Sequence, residues 1–133
     1  MNKSIDRDGT LNSVRDVAAN NDTIDVVWLY GSRARSLEHD DSDYDLAIAF
    51  NVFIKDEVEN RLRPEILALE WQSKLGFPVS IVDINGAPIP LAFAIISDES
   101  PIYIANDFRL MQEEQRIMSR WEIDYEFANK QRS

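Results

Sequence analysis

Three short apolar runs limit what this chain can fold into more than any other feature. They read IDVVWLY from Ile24 to Tyr30, YDLAIAF from Tyr44 to Phe50 and VSIVDI from Val79 to Ile84. Each is rich in β-branched or aromatic residues, so each is predicted to be a strand. Around them the apolar residues recur at helical spacing. A short helix is predicted from Thr10 to about Asn20, with Leu11, Val14 and Val17 or Ala18 on one face, and the Asn20-Asn21-Asp22 cluster stops it. A second helix is predicted from about Asp56 to Leu75, with Val58, Leu62, Ile66 and Leu69 as its buried stripe. Gly76 and Pro78 end it, and Pro64 is expected to kink or split it. A short helix over Pro90–Ser97, an edge strand over Ile102–Ile104 and a long helix from Asp107 to about Lys130 complete the reading. Asp107 is the expected N-cap of that last helix. Phe108, Met111, Met118, Trp121 and Tyr125 repeat along it, with core packing as their expected role. Alternating strands and helices predict an α/β or α+β class, a small β-sheet flanked by helices.

At 133 residues, a single domain spanning 1–133 is expected, with residues 1–9 frayed. That length can bury one core without staples. The absence of cysteine excludes a disulfide frame, a thiolate nucleophile and a cysteine-based zinc site. It also fits a reducing cytoplasm, the expected location. MNKSIDRDGT has no apolar h-region, and no apolar run approaches the roughly 20 residues of a membrane span. Twenty-four acids against 14 bases leave a net charge of −10. Such a surface repels nucleic acid, so direct DNA or RNA binding is not expected. It suits a basic protein partner. It would also repel a nucleotide unless metal ions and a few local bases neutralise the phosphates.

The chemistry concentrates between Gly31 and Asp45, which reads GSRARSLEHDDSDYD. A glycine closing a buried strand lets the backbone turn sharply and approach a ligand closely. Ser32 adds a hydroxyl and a backbone N–H suited to phosphate oxygens. Arg33 and Arg35 can neutralise phosphate charge. Asp43 and Asp45 open the second strand two residues apart, so their carboxylates share a face. Two like charges that close are unfavourable, and a divalent cation such as magnesium relieves them. Asp83 lies within the third apolar run, where a charge needs a partner. If that strand lies beside the second, three carboxylates could share one metal cluster. Each piece has an ordinary alternative: a turn, a solvated acidic loop, a strand-end aspartate paired with arginine. Together they describe two-metal phosphoryl transfer by in-line attack on a nucleotide α-phosphate. The lone histidine, His39, sits in a polar loop and is expected to be solvated.

Gly31-Ser32, ten residues, then Asp43-x-Asp45 resembles the signature of the DNA polymerase β-like nucleotidyltransferase superfamily. Within it, GSRAR followed by SDYDLAI is similar to the minimal nucleotidyltransferase (MNT) proteins. The resemblance extends over most of the chain, including the VSIVDIN strand and the IYIAND segment with its helix. It implies a polymerase β-like fold and an antitoxin of the HepT–MntA type. Such a protein transfers AMP from ATP to a tyrosine hydroxyl of a HEPN-domain RNase toxin, with which it forms a hetero-oligomer. By the same resemblance Gly31 and Ser32 would hold the triphosphate, and Arg33 and Arg35 would contact phosphate. Asp43 and Asp45 would bind two magnesium ions, and Asp83 would complete the catalytic metal site. One departure is Ser36, where the family often has glycine.

Two other readings start from the same residues. Aminoglycoside-type adenylyltransferases share the Gly-Ser and Asp-x-Asp pattern but normally carry a further acceptor-binding domain, for which this chain has little room. A non-catalytic antitoxin would use the acidic surface and the long C-terminal helix to block its partner sterically.

Overall fold

A computed structural model describes the backbone of residues 3–31, 43–98 and 101–132, and the side chains within 9–31, 43–98 and 101–125. The elements run α1 (Lys3–Ala19), β1 (Ile24–Tyr30), β2 (Tyr44–Phe50), α2 (Glu57–Leu75), β3 (Val79–Asp83), α3 (Ile89–Asp98), β4 (Pro101–Ile104) and α4 (Asp107–Arg132). The strands form a mixed sheet in the order β3-β2-β1-β4. β1 is antiparallel to β2 and to β4, whereas β2 and β3 are parallel.

Helices cover both faces of the sheet, and this is why its central strands read as near-continuous apolar runs rather than strict alternation. On one face Val27, Leu29, Leu46, Ile48, Val79 and Ile81 pack with Leu11, Val14 and Ala18 of α1 and Leu67, Ala68 and Trp71 of α2. On the other, Val26, Trp28, Ala47 and Ala49 pack with Ala92 and Ile95 of α3 and Ile117 of α4. A register irregularity between Ile24 and Val26 puts those two residues on opposite faces despite their spacing. Asp25, at the irregularity, is buried; Asn51 bonds its carboxylate at 2.9 Å, and Arg109 approaches it at 3.5 Å.

The predicted strands and helices are all present, and α1 begins at Lys3 rather than Thr10. The stripe expected on its inner face holds, with Leu11, Val14 and Ala18 buried. α2 starts where expected, because Asp56 Oδ1 accepts from the Val58 and Glu59 amides at 2.9 and 3.0 Å. Pro64 lies inside it, buried, without dividing it. The helix ends at Gly76, whose left-handed backbone lets its N–H reach the Gln72 carbonyl at 2.9 Å.

Two expected faces are corrected. Val58, Leu62, Ile66 and Leu69 point outward, Leu69 being 68% exposed, while Pro64, Leu67, Ala68 and Trp71 face the sheet. Both sets repeat at helical spacing, so periodicity alone cannot choose between them. Trp71 and Leu67 occupy the side that faces the sheet. In α4, Phe108, Met111, Met118 and Tyr125 are exposed, and Ile117 and Glu113 face inward. Glu113 can be buried because Arg109, Arg116 and Asn85 bond its carboxylate at 3.0, 2.7 and 2.9 Å. Trp121 stacks on Phe93 of α3 at 4.5 Å between ring centroids. The N-cap of α4 is Asn106, not Asp107: its side-chain oxygen accepts from the Arg109 amide at 3.1 Å.

Candidate active site

The end of β1 and the start of β2 meet at one end of the sheet. Tyr30 pairs with Asp45 across the two strands. Gly31 follows with φ +75°, a left-handed conformation that L side chains rarely adopt. A Cβ built on Gly31 would lie 2.5 Å from Oδ2 of Asp45. The glycine is therefore needed twice, for its backbone angle and for the space that the Asp45 carboxylate fills.

Asp43 immediately precedes β2 and is exposed, and Asp45 is half-buried within it. The pair stands on the same face, as the Asp-x-Asp spacing predicts. Burial raises the Asp45 carboxyl above its ordinary range, and the neighbouring Asp43 charge raises it further. The Tyr30 hydroxyl is raised too, first by burial and then by the Asp45 charge. A cation between Asp43 and Asp45 would remove the repulsion the two carboxylates impose on each other. Their hard oxygen ligands suit magnesium.

Asp83 is not brought to this pair. In the parallel register Asp83 stands level with Ile48, three residues beyond Asp45 and roughly 10 Å further along β2. Paired residues point to the same side, so Asp83 shares the side of Ile48, Val79 and Ile81, opposite Asp45 and Ala47. There its Oδ2 lies 3.6 Å from Nη2 of Arg63, and its Oδ1 accepts from the Asn85 amide at 2.9 Å. Arg63 in turn lies over the Phe50 ring at 4.0 Å and donates to the Val52 carbonyl at 2.7 Å. Asp83 is thus the arginine-paired strand-end aspartate. Among the described residues, no group of three or more Asp, Glu or His side chains is placed to hold a metal.

The residue of β3 that does meet the pair is Ser80. It is the register partner of Asp45, and its hydroxyl donates to Oδ2 of Asp43 at 3.4 Å. In VSIVDI the one charge, Asp83, is a stronger sequence signal than the uncharged Ser80. Counting parity would have found it: Val79, Ile81 and Asp83 share one face, Ser80 and Val82 the other. Ser32, Arg33, Arg35, Ser36 and His39 lie outside the described residues. Clefts of about 450, 400 and 430 Å³ gather around Phe50, Arg63 and Asp83.

A mixed sheet with an Asp-x-Asp pair at a strand start, held against a glycine that closes the neighbouring strand, fits a nucleotidyltransferase-type fold. The chain belongs to the polymerase β nucleotidyltransferase family, whose model matches residues 12–108. Among curated proteins, no sequence matches significantly. Solved structures with the same fold do match. A chain from a toxin–antitoxin complex with AMP-PNP superposes with a TM-score of 0.66 at 17% identity, covering 92% of this chain and 98% of that one. A chain from the complex of tri-AMPylated Shewanella oneidensis HEPN toxin with MNT antitoxin gives 0.62 at 16% identity, covering 95% and 92%. A chain from the MntA–HepT toxin–antitoxin complex gives 0.60 at 17% identity, covering 92% and 90%. Among the described residues no helix is long and apolar enough to cross a membrane.

Proposed function

We propose that this chain is an antitoxin of the HEPN–MNT type that transfers AMP from ATP to a tyrosine hydroxyl of a cognate HEPN RNase toxin. The observation that carries the proposal is the Asp43–Asp45 pair packed against the Gly31 turn, in a chain of the nucleotidyltransferase family. The likeness to a chain from a HEPN–MNT complex with an AMPylated toxin, and to one from a toxin–antitoxin complex with AMP-PNP, supports the choice of partner and of nucleotide. The acidic surface, at −10, is complementary to a basic, RNA-cleaving partner.

In the transfer, the tyrosine oxygen forms a bond to the α-phosphorus and the bond from that phosphorus to the pyrophosphate oxygen breaks. The tyrosine O–H bond breaks as well, its proton passing to solvent, and AMP-tyrosine and pyrophosphate are the products. Asp43 and Asp45 would hold the magnesium that neutralises charge on the attacking and leaving oxygens. Gly31 brings the backbone close to the triphosphate, and Ser32, Arg33 and Arg35 are proposed as its contacts. Nothing in this scheme uses Asp83.

The test is incubation of the purified chain with labelled ATP, magnesium and its cognate HEPN partner. Label should appear on the partner and be lost in the Asp43→Ala, Asp45→Ala double variant. Label on an aminoglycoside but not on protein would overturn the choice of acceptor. A second reading has one observation in its favour, the outward apolar residues of α2 and α4. If the double variant still neutralised the toxin fully without ATP or magnesium, steric blocking would replace catalysis.

A further inference from the structure

The third corner of the carboxylate site is held by a hydroxyl. We propose that Ser80 is the positioning residue there, and that among the described residues the cation site on the sheet has two carboxylates. The inference rests on the metal-dependent reading above. Three observations lead to it. The β2–β3 register pairs Ser80 with Asp45. The Ser80 hydroxyl donates to Oδ2 of Asp43 at 3.4 Å, a side-chain contact from β3 to the pair. The carboxylate that β3 does carry, Asp83, is turned to the opposite face and bonded to Arg63.

Cation affinity in oxygen-ligand sites rises with the number of charged ligands. Two carboxylates and a neutral hydroxyl make a weaker site than three carboxylates, and one that gains most when triphosphate oxygens are added. The chain therefore takes up its metal together with the nucleotide rather than before it. Ser80 contributes by fixing the Asp43 carboxylate through a hydrogen bond, in the way that outer partners orient metal ligands. The bond is long, so its effect belongs at the low end of that range.

Manganese binding, followed by the electron paramagnetic resonance of free Mn²⁺, tests this on the full chain without reference to transfer. Wild type should bind Mn²⁺ weakly alone and much more tightly with a non-hydrolysable ATP analogue. Ser80→Asp should tighten nucleotide-free binding by about tenfold. Ser80→Ala should weaken it by no more than about tenfold, with Ser80→Thr restoring it. Asp83→Asn should leave it within about twofold of wild type, because that carboxylate faces away. If Asp83→Asn weakens Mn²⁺ binding as strongly as Asp45→Asn while Ser80→Asp changes nothing, Ser80 does not hold the third corner. Circular dichroism of each variant separates loss of binding from loss of fold, and the Asp83→Asn comparison stands even if Ser80→Asp misfolds. Mn²⁺ binding indifferent to Asp43→Asn and Asp45→Asn is a separate result, which would remove the metal-dependent reading itself.

Discussion

Replacing Gly31 by alanine separates two effects that a glycine at a site usually confounds, because the chain contains its own control. Gly31 and Gly76 both hold left-handed backbones, with φ of +75° and +84°. An added Cβ costs about 1 kcal/mol at either position through the backbone alone. For a chain of this length that is a drop in Tm of roughly 3–4 °C. The surroundings differ. At Gly76 the new Cβ meets nothing within 4 Å, whereas at Gly31 it lies 2.5 Å from Oδ2 of Asp45. Reaching an ordinary 3.4 Å contact means a displacement of about 0.9 Å, by rotation of the carboxylate or movement of the turn. A misplacement near 1 Å can cost about 100-fold in rate. Gly31→Ala should therefore lose roughly 100-fold in AMP transfer, while Gly76→Ala keeps the wild-type rate after a similar loss of Tm. Thermal unfolding gives the first quantity, and initial rates of pyrophosphate release at a temperature well below both transitions give the second. If the two variants transfer AMP equally fast, the packing of Gly31 against Asp45 is not what the chemistry uses.

Three further outcomes follow from the packing. Leu62→Lys, Ile66→Lys and Leu69→Lys should each change unfolding free energy by no more than about 0.5 kcal/mol, because those side chains face outward. Trp71→Ala, on the opposite side of the same helix and almost wholly buried, should cost about 3–5 kcal/mol in denaturant titration. Glu113 supplies a pH dependence: burial pushes its carboxyl up, but bonds from Asn85 and Arg116, the Arg116 charge and a bond from Arg109 outweigh that and lower it below 4.5. It binds its proton less readily folded than unfolded, so its contribution is fully present above about pH 4.5 and is lost as pH falls through the depressed folded value. Glu113→Gln should destabilise by about 2 kcal/mol near neutral pH, with the gap to wild type closing in acid; a constant gap across that range would refute the assignment.

The strands were legible because both faces of the sheet are covered, which leaves apolar runs that few other structures produce. The caps of α2 were legible for a local reason, Asp56 and Gly76 each satisfying their own helix end. The faces of α2 and α4 were not. In α2 two apolar stripes compete, and only the identity of the neighbour decides between them. In α4 the inward face includes Glu113, a residue whose charge argues for solvent until Arg109 and Arg116, one turn to either side on the same helix, and Asn85, from the turn after β3, bond it. The pair Asp43 and Asp45 could be read from a two-residue spacing, which is local. Asp83 required knowing the register of a parallel pair, and that is set by how β3 returns from α2, with the Tyr44 amide bonding the Pro78 carbonyl at 3.1 Å.

The same register explains why Asp43 and Asp45 stand together at this end of β2 while Asp83 lies by the clefts around Phe50. Along one face of β2 the residues run Asp43, Asp45, Ala47, Ala49, and burial grades from exposed to half-buried to fully enclosed. Ala47 and Ala49 lie under α3 and α4, whose Ala92, Ile95 and Ile117 close over them. The small alanines let those helices sit close, and the cover runs out before Asp43. Asp45 is therefore desolvated enough to have its carboxyl raised, yet open enough to meet a ligand beside Asp43. On the opposite face the row is Tyr44, Leu46, Ile48, Phe50, buried throughout, and a carboxylate there must be paired internally, as Asp83 is with Arg63. Which side chains stand together is thus decided by which face of the sheet each occupies and how far along the strand it lies, and by both conditions Ser80, not Asp83, is the β3 residue beside the Asp43–Asp45 pair.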